Sequence, residues 1–137
     1  MSSKQRVVLD TSVLIAIERG ADVKVLEDLD FVLPTPVLAE FEYGLRRMSA
    51  PSSKRGWKIL EALIGVSEIA SFDSRAASKH AELKSSLANI GKPRSGMDLL
   101  IAAIASSWGL QLMTTDRKAQ FENIPGVKVH PAGSKLH

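Results

Sequence analysis

At 137 residues, with 45% hydrophobic and 24% charged residues, the chain is long enough to bury one core and lacks the composition of a disordered or fibrous protein. It contains no cysteine, which excludes a disulfide framework, a thiolate zinc site and a cysteine nucleophile; its formal charge of +3 leans mildly toward polyanionic partners. No apolar leader precedes Arg6, and the longest apolar run, Leu99 to Ala105, falls far short of the ~20 residues that cross a bilayer, so no export and no membrane partner is expected and a cytoplasmic setting is.

In chain order, Arg6 to Asp10 reads as a short buried strand, and Val13 to Glu18 as a helix that Gly20 ends. Asp22 to Asp28 suggests a second short helix, Phe31 to Leu33 a second strand, and Pro36 to Met48 a helix opened by its proline. A loop is expected around Pro51-Ser-Ser, then a helix over Trp57 to Ile64 and a weak strand over Glu68 to Ala70. Ser74 to Ile90 predicts a long helix stopped by Gly91 and Pro93. Met97 to Trp108 is apolar almost all round and predicts a buried helix closed by Gly109. Leu110 to Thr114 and Val127 to Val129 read as the last strands. Strands separated by helices predict an α/β three-layer sandwich with a mainly parallel central sheet. Residues 1–131 are expected to form a single domain and residues 132–137 a flexible tail holding His137, with His130 beside it.

In open parallel sheets, ligands bind beyond the carboxyl ends of the strands. Asp10 ends the first strand and Asp116 follows the Leu110 to Thr114 strand, so both emerge on that edge; Glu40 and Asp98 lie near the starts of helices that begin at the same rim. Each acid also has an ordinary explanation. Asp10 with Thr11 and Ser12 fits a helix cap, Ser95-x-x-Asp98 fits a capping box, Glu40 fits a solvated helix position and Asp116 a turn. The helical wheel places Glu40 beside the apolar stripe of Val37, Leu38, Phe41, Leu45 and Met48, on the side of Gly44 and Arg47. Glu42 falls on the other flank, four residues before Arg46, as an exposed ion pair requires.

Four segments carry a resemblance: Val8-Leu-Asp-Thr-Ser-Val-Leu-Ile15, Pro34-Thr-Pro-Val-Leu-Ala-Glu40, Asp98-Leu-Leu-Ile-Ala-Ala103 and Leu112-Met-Thr-Thr-Asp-Arg117. In that order, the chain resembles the PIN-domain family, and within it the small VapC-type toxins of toxin–antitoxin pairs. The resemblance implies a PIN fold, endoribonuclease activity, frequent homodimers, and neutralisation by a small antitoxin. It also implies an acidic quartet of Asp10, Glu40, Asp98 and Asp116 around one or two Mg²⁺ or Mn²⁺ ions, with Thr11 or Ser12 as a nearby hydroxyl. By residue type, Thr11, Ser12 and Thr115 are each candidates to hydrogen-bond an acid or a phosphate, with helix capping as the alternative.

The donor chemistry agrees, since hard divalent cations favour oxygen ligands and Mg²⁺ keeps several waters beside a few carboxylates. Crowded carboxylates repel, so some should have raised pKa values. Arg46, Arg47, Lys54, Arg55, Lys58, Arg94 and Arg117 are candidates for contacting an RNA backbone; a solvated basic face is the alternative. Trp57 is open between base stacking and a packed or dimer-interface role, Trp108 reads as core, and His80 as a packed histidine beside Ala76, Leu83 and Leu87. The apolar flanks of the Pro36 and Arg55 helices fit either a dimer interface or the core. A haloacid-dehalogenase reading needs Asp where Ser12 stands, and a receiver-domain reading lacks its acidic pair. A catalytically silent PIN-fold binding module and a nuclease acting on DNA are the remaining alternatives.

Overall fold

The computed structural model describes residues 4–136. Four parallel strands form its sheet: β1 (Gln5–Leu9), β2 (Leu29–Pro34), β3 (Glu68–Ala70) and β4 (Leu112–Met113), in the order β3-β2-β1-β4. Five helices connect and cover them: α1 (Thr11–Glu18), α2 (Thr35–Arg46), α3 (Ala50–Val66), α4 (Ser74–Asn89) and α5 (Met97–Trp108). The expected α/β architecture is present, and every strand pair is parallel. Parallel strands need covered faces and therefore read as continuous apolar runs; Val7, Val8 and Leu9 are fully buried, as are Val32 and Leu33.

The all-round apolar character of α5 has the expected consequence. Leu99 and the run Ile101 to Ala105 are buried, and Gly109 ends the helix in the left-handed conformation at φ 66°. The apolar stripes of α2 and α3 go largely into the core, through Val37, Phe41, Leu45, Leu60 and Leu63.

Local expectations differ at several points. The loop expected at Pro51 is the first turn of α3, where Ser49 caps the helix by accepting from the Ser52 N–H at 3.3 Å; a proline without an N–H is at home in that turn. The second short helix is a 3-10 turn, Val23–Leu26. Strand β4 pairs over two residues only, and Val129 contributes a single parallel bridge to Leu112.

The flexible tail is also corrected as far as residue 136. Pro131–Lys135 forms a 3-10 turn, Gly133 is buried, and Leu136 is 3% exposed within the core. The His130 N–H donates to the Leu112 carbonyl at 2.8 Å and its Nδ1 accepts from the Ala132 N–H at 3.1 Å, which fixes the turn to β4. His137 lies outside the described residues.

Candidate active site

With all strands parallel, β1, β2 and β4 release the chain on one edge, and the chain runs from β1 to β2 on one side but returns to β4 on the other. Such a reversal of strand order leaves a crevice beyond the strand ends. Asp10 follows β1 directly, with its N–H donating to the Met113 carbonyl at 2.9 Å. Glu40 rises from α2, Asp98 from the first turn of α5, and Asp116 from the loop after β4. All four line one cavity of about 520 Å³, together with Thr11, Ser12 and Gly44. A Cβ on Gly44 would meet nothing within 4 Å, so that side of α2 stays open to the cavity.

The ordinary explanations can now be weighed. Asp10 occupies the N-cap position of α1 but makes no side-chain capping bond. Its Oδ2 instead accepts from Ser12 Oγ at 2.7 Å and Thr114 Oγ1 at 2.8 Å. Asp10 is 4% exposed, and a carboxylate held this deeply by two hydroxyls at a cavity wall is oriented for a task other than capping. The capping box at Ser95 and Asp98 does not form: Gly96, at φ 88°, is the N-cap of α5, without a side-chain cap. A left-handed backbone there suits glycine and leaves the Asp98 carboxylate for the cavity. Asp116 does start a turn, since its Oδ1 accepts from the N–H groups of Lys118 and Ala119.

The hydroxyls divide differently from expectation. Thr11 Oγ1 donates to Glu40 Oε1, and Ser12 holds Asp10. Thr115 makes no hydrogen bond to a carboxylate among the described residues: its N–H donates to Ser12 Oγ at 2.9 Å and its hydroxyl reaches the Ser12 carbonyl. The hydroxyl expected of Thr115 is supplied by Thr114, which also accepts from the Asp116 N–H at 3.0 Å and so joins Asp10 to Asp116.

Burial raises the Asp98 pKa above the ordinary carboxylate value, and the Asp10 carboxylate raises it further. Arg94 opposes the shift, while Asp116 and Glu40 add to it. The four acids therefore act on one another as a single cluster of negative charge. Among the described residues, no three carboxylate or imidazole groups are drawn together closely enough to hold one ion.

The basic residues fall into two groups. Arg55 Nε donates to the Glu18 carbonyl at 2.9 Å and its Nη2 to Ile17, tying α3 to the end of α1. Arg94 donates to the carbonyls of Ala119 and Gln120, lies over Phe121, and reaches Asp98 Oδ2 at 3.8 Å. These two guanidinium groups are engaged with backbone carbonyls of the fold, unlike the other basic residues expected to meet RNA. Arg46 pairs with Glu42 and covers the Trp57 ring at 5.4 Å, so that ring is not an open stacking platform. Arg47, Lys54, Lys58 and Arg117 are exposed. His80 packs edge-on to Phe72, and Trp108 lies half-buried under Arg6.

A family model described as the PIN domain matches residues 7–127. This chain belongs to the PIN-domain family. Over 92 residues, 67% of each chain, it is 33% identical to the tRNA(fMet)-specific endonuclease VapC of Salmonella typhimurium. Among solved structures, VapBC-5 of Mycobacterium tuberculosis, a toxin–antitoxin system, aligns at 30% identity with a TM-score of 0.72, covering 90% of this chain and 96% of that one. DNA-bound VapBC of Salmonella typhimurium aligns at 25% identity with a TM-score of 0.77, covering 93% and 97%. These likenesses make it a VapC-type PIN-domain protein, and no described helix is long and apolar enough to cross a membrane.

Proposed function

We propose that this PIN-domain protein is a divalent-cation-dependent endoribonuclease, the toxin of a toxin–antitoxin pair, acting on structured RNA of the tRNA class. The observation that carries the reading is the convergence of four carboxylates from four separate parts of the chain on one cavity at the carboxyl edge of the sheet. The printed activity of the VapC relative supports the substrate class, and the toxin–antitoxin assemblies among the structural neighbours support a small antitoxin as partner. A homodimer is part of the same proposal.

The donors fit a hard cation in type and in charge. Mg²⁺ needs only one or two protein carboxylates, with water and substrate phosphate completing its shell, so a loosely spaced quartet suits Mg²⁺ or Mn²⁺. Asp10 and Asp98 are the principal candidates to hold it, with Glu40 and Asp116 completing the acidic wall. When bound, such a cation acidifies a water molecule and offsets charge on the phosphoryl oxygens.

The protein's own contribution is orientation. Ser12 and Thr114 hold the Asp10 carboxylate from the same oxygen, Thr11 holds Glu40, and two backbone N–H groups hold Asp116. Side chains fixed in this way need little rearrangement when substrate arrives. In this reading Glu40, exposed at the cavity, is the acceptor of a proton from the attacking water.

The test is cleavage of a mixed RNA panel that includes tRNA, beside matched DNA, with Mg²⁺, with Mn²⁺ and with EDTA. Metal-dependent RNA cleavage that drops more than roughly a hundredfold in Asp10→Asn and in Asp98→Asn is expected. Folded, metal-supplied protein that cuts nothing would leave the binding-module reading, and preferential cutting of DNA would replace the substrate.

A further inference from the structure

A second cavity, of about 440 Å³, abuts the acidic one across helix α1 and shares Ser12, Ile15, Arg19 and Asp116 with it. Ser12 and Ile15 of α1 and its C-cap residue Arg19 follow one another at three and four residues, so they form one stripe that borders both cavities. Ile15 is 37% exposed at the middle of that stripe. Beyond it the second cavity is lined by the small apolar residues Ala16 and Ala21 and by Leu136, which comes from the packed C-terminal turn.

Arg19 is the one basic side chain lining the acidic cavity among the described residues. It is exposed, and among the described residues no carboxylate or carbonyl accepts from its guanidinium, unlike those of Arg46, Arg55 and Arg94. A free guanidinium beside four acids has an evident use. The acids repel a polyanion, whereas a planar cation at the shared wall can grip a phosphate through two parallel hydrogen bonds.

We propose that the second cavity is the subsite for the nucleotide adjoining the scissile phosphate in an unpaired RNA segment. Its phosphate lies on Arg19 and its base rests against Ile15 and Ala16. An unstacked nucleotide offers a flat, largely apolar body joined to an anion, and sequence-specific RNA recognition favours such splayed bases. The cavity offers the complementary pair, an apolar floor of Ile15, Ala16 and Ala21 with the Arg19 cation at its edge, while Ser12, Thr115 and Asp116 complete its rim. The proposal rests on the ribonuclease reading for its orientation relative to the acids.

The test is binding of a series of labelled single-stranded oligoribonucleotides to Asp98→Asn protein in Mg²⁺, with Arg19→Ala and Ala16→Leu added to that background. Arg19→Ala is expected to weaken binding roughly tenfold and to reduce the slope of log affinity against log salt by about 0.7, the share of one phosphate contact. Ala16→Leu fills the cavity; it should weaken binding with the salt slope unchanged and abolish the affinity gained from the flanking nucleotide. Melting curves of both variants establish that each is folded. Unaltered binding in both variants, or no oligonucleotide binding at all, overturns the subsite. Wild-type protein that cleaves nothing while binding keeps its Arg19 dependence would sink the ribonuclease reading and leave the subsite standing.

Discussion

Asp98 lies in the first turn of α5, where the helix dipole favours negative charge, yet burial and the Asp10 carboxylate together raise its pKa above 3.8. An acid whose pKa is higher folded than unfolded binds its proton more tightly in the folded state. Folding therefore loses stability as pH rises through the raised value, and loses none of it below 3.8. The side chain is 43% exposed, so solvent screens part of the repulsion and the effect is modest. In EDTA at pH 7, Asp98→Asn should melt above wild type, with the gap closing as pH falls toward the ordinary carboxylate range. A variant melting below wild type at pH 7 would contradict the repulsive cluster. The positions of the acids were legible because each follows a strand or opens a helix on the same edge. The choice between Thr114 and Thr115 was not, since it turns on where a two-residue strand stops and which way the chain then bends. Pattern alone does not separate cap from site at Asp10; the difference lies in its carboxylate, which bonds hydroxyls and no backbone N–H of α1.

Long segments such as α4 and α5 are legible because a covered helix presents the same face over several turns, as in α4, and a helix buried on every side is apolar all round, as in α5. Short elements held by distant partners did not. The Pro131–Lys135 turn has the polar, glycine-containing composition of a frayed end, but its packing against β4 makes it part of the domain. Gly133 shows why the contact matters. A Cβ built there would stand 2.1 Å from the Thr114 carbonyl oxygen, and the Thr114 hydroxyl holds Asp10. The obstacle is backbone and cannot swing away. Gly133→Ala should therefore cost about 1–3 kcal/mol of stability. It should also displace Thr114 enough to lower the rate of RNA cleavage at saturating substrate, measured at a temperature where the variant is fully folded. Unchanged melting and unchanged rate would show that the turn shifts freely and does not brace the site.

At the scale of the whole molecule, the parallel sheet gathers four acids on one edge of a chain whose formal charge is nonetheless +3. Beside Arg19 at the cavity wall, the positive charge outside that edge carries the attraction for a polyanion, but the basic residues are not equivalent. Arg55 and Arg94 each donate two hydrogen bonds to backbone carbonyls between distant segments. Arg47 and Arg117 are exposed near Glu40 and Asp116 in the chain. Removing the first kind should act on folding and removing the second on binding. Arg55→Ala and Arg94→Ala are expected to lower the melting temperature by roughly 3–6 °C. Arg47→Ala and Arg117→Ala should leave melting unchanged, weaken RNA binding across different sequences alike, and each reduce the salt slope by about 0.7. Thermal melting and salt-dependent binding on the same four variants separate the two groups. If Arg55→Ala or Arg94→Ala reduced the salt slope without lowering the melting temperature, the basic surface would have to be redrawn to include guanidinium groups that leave their carbonyls when RNA binds.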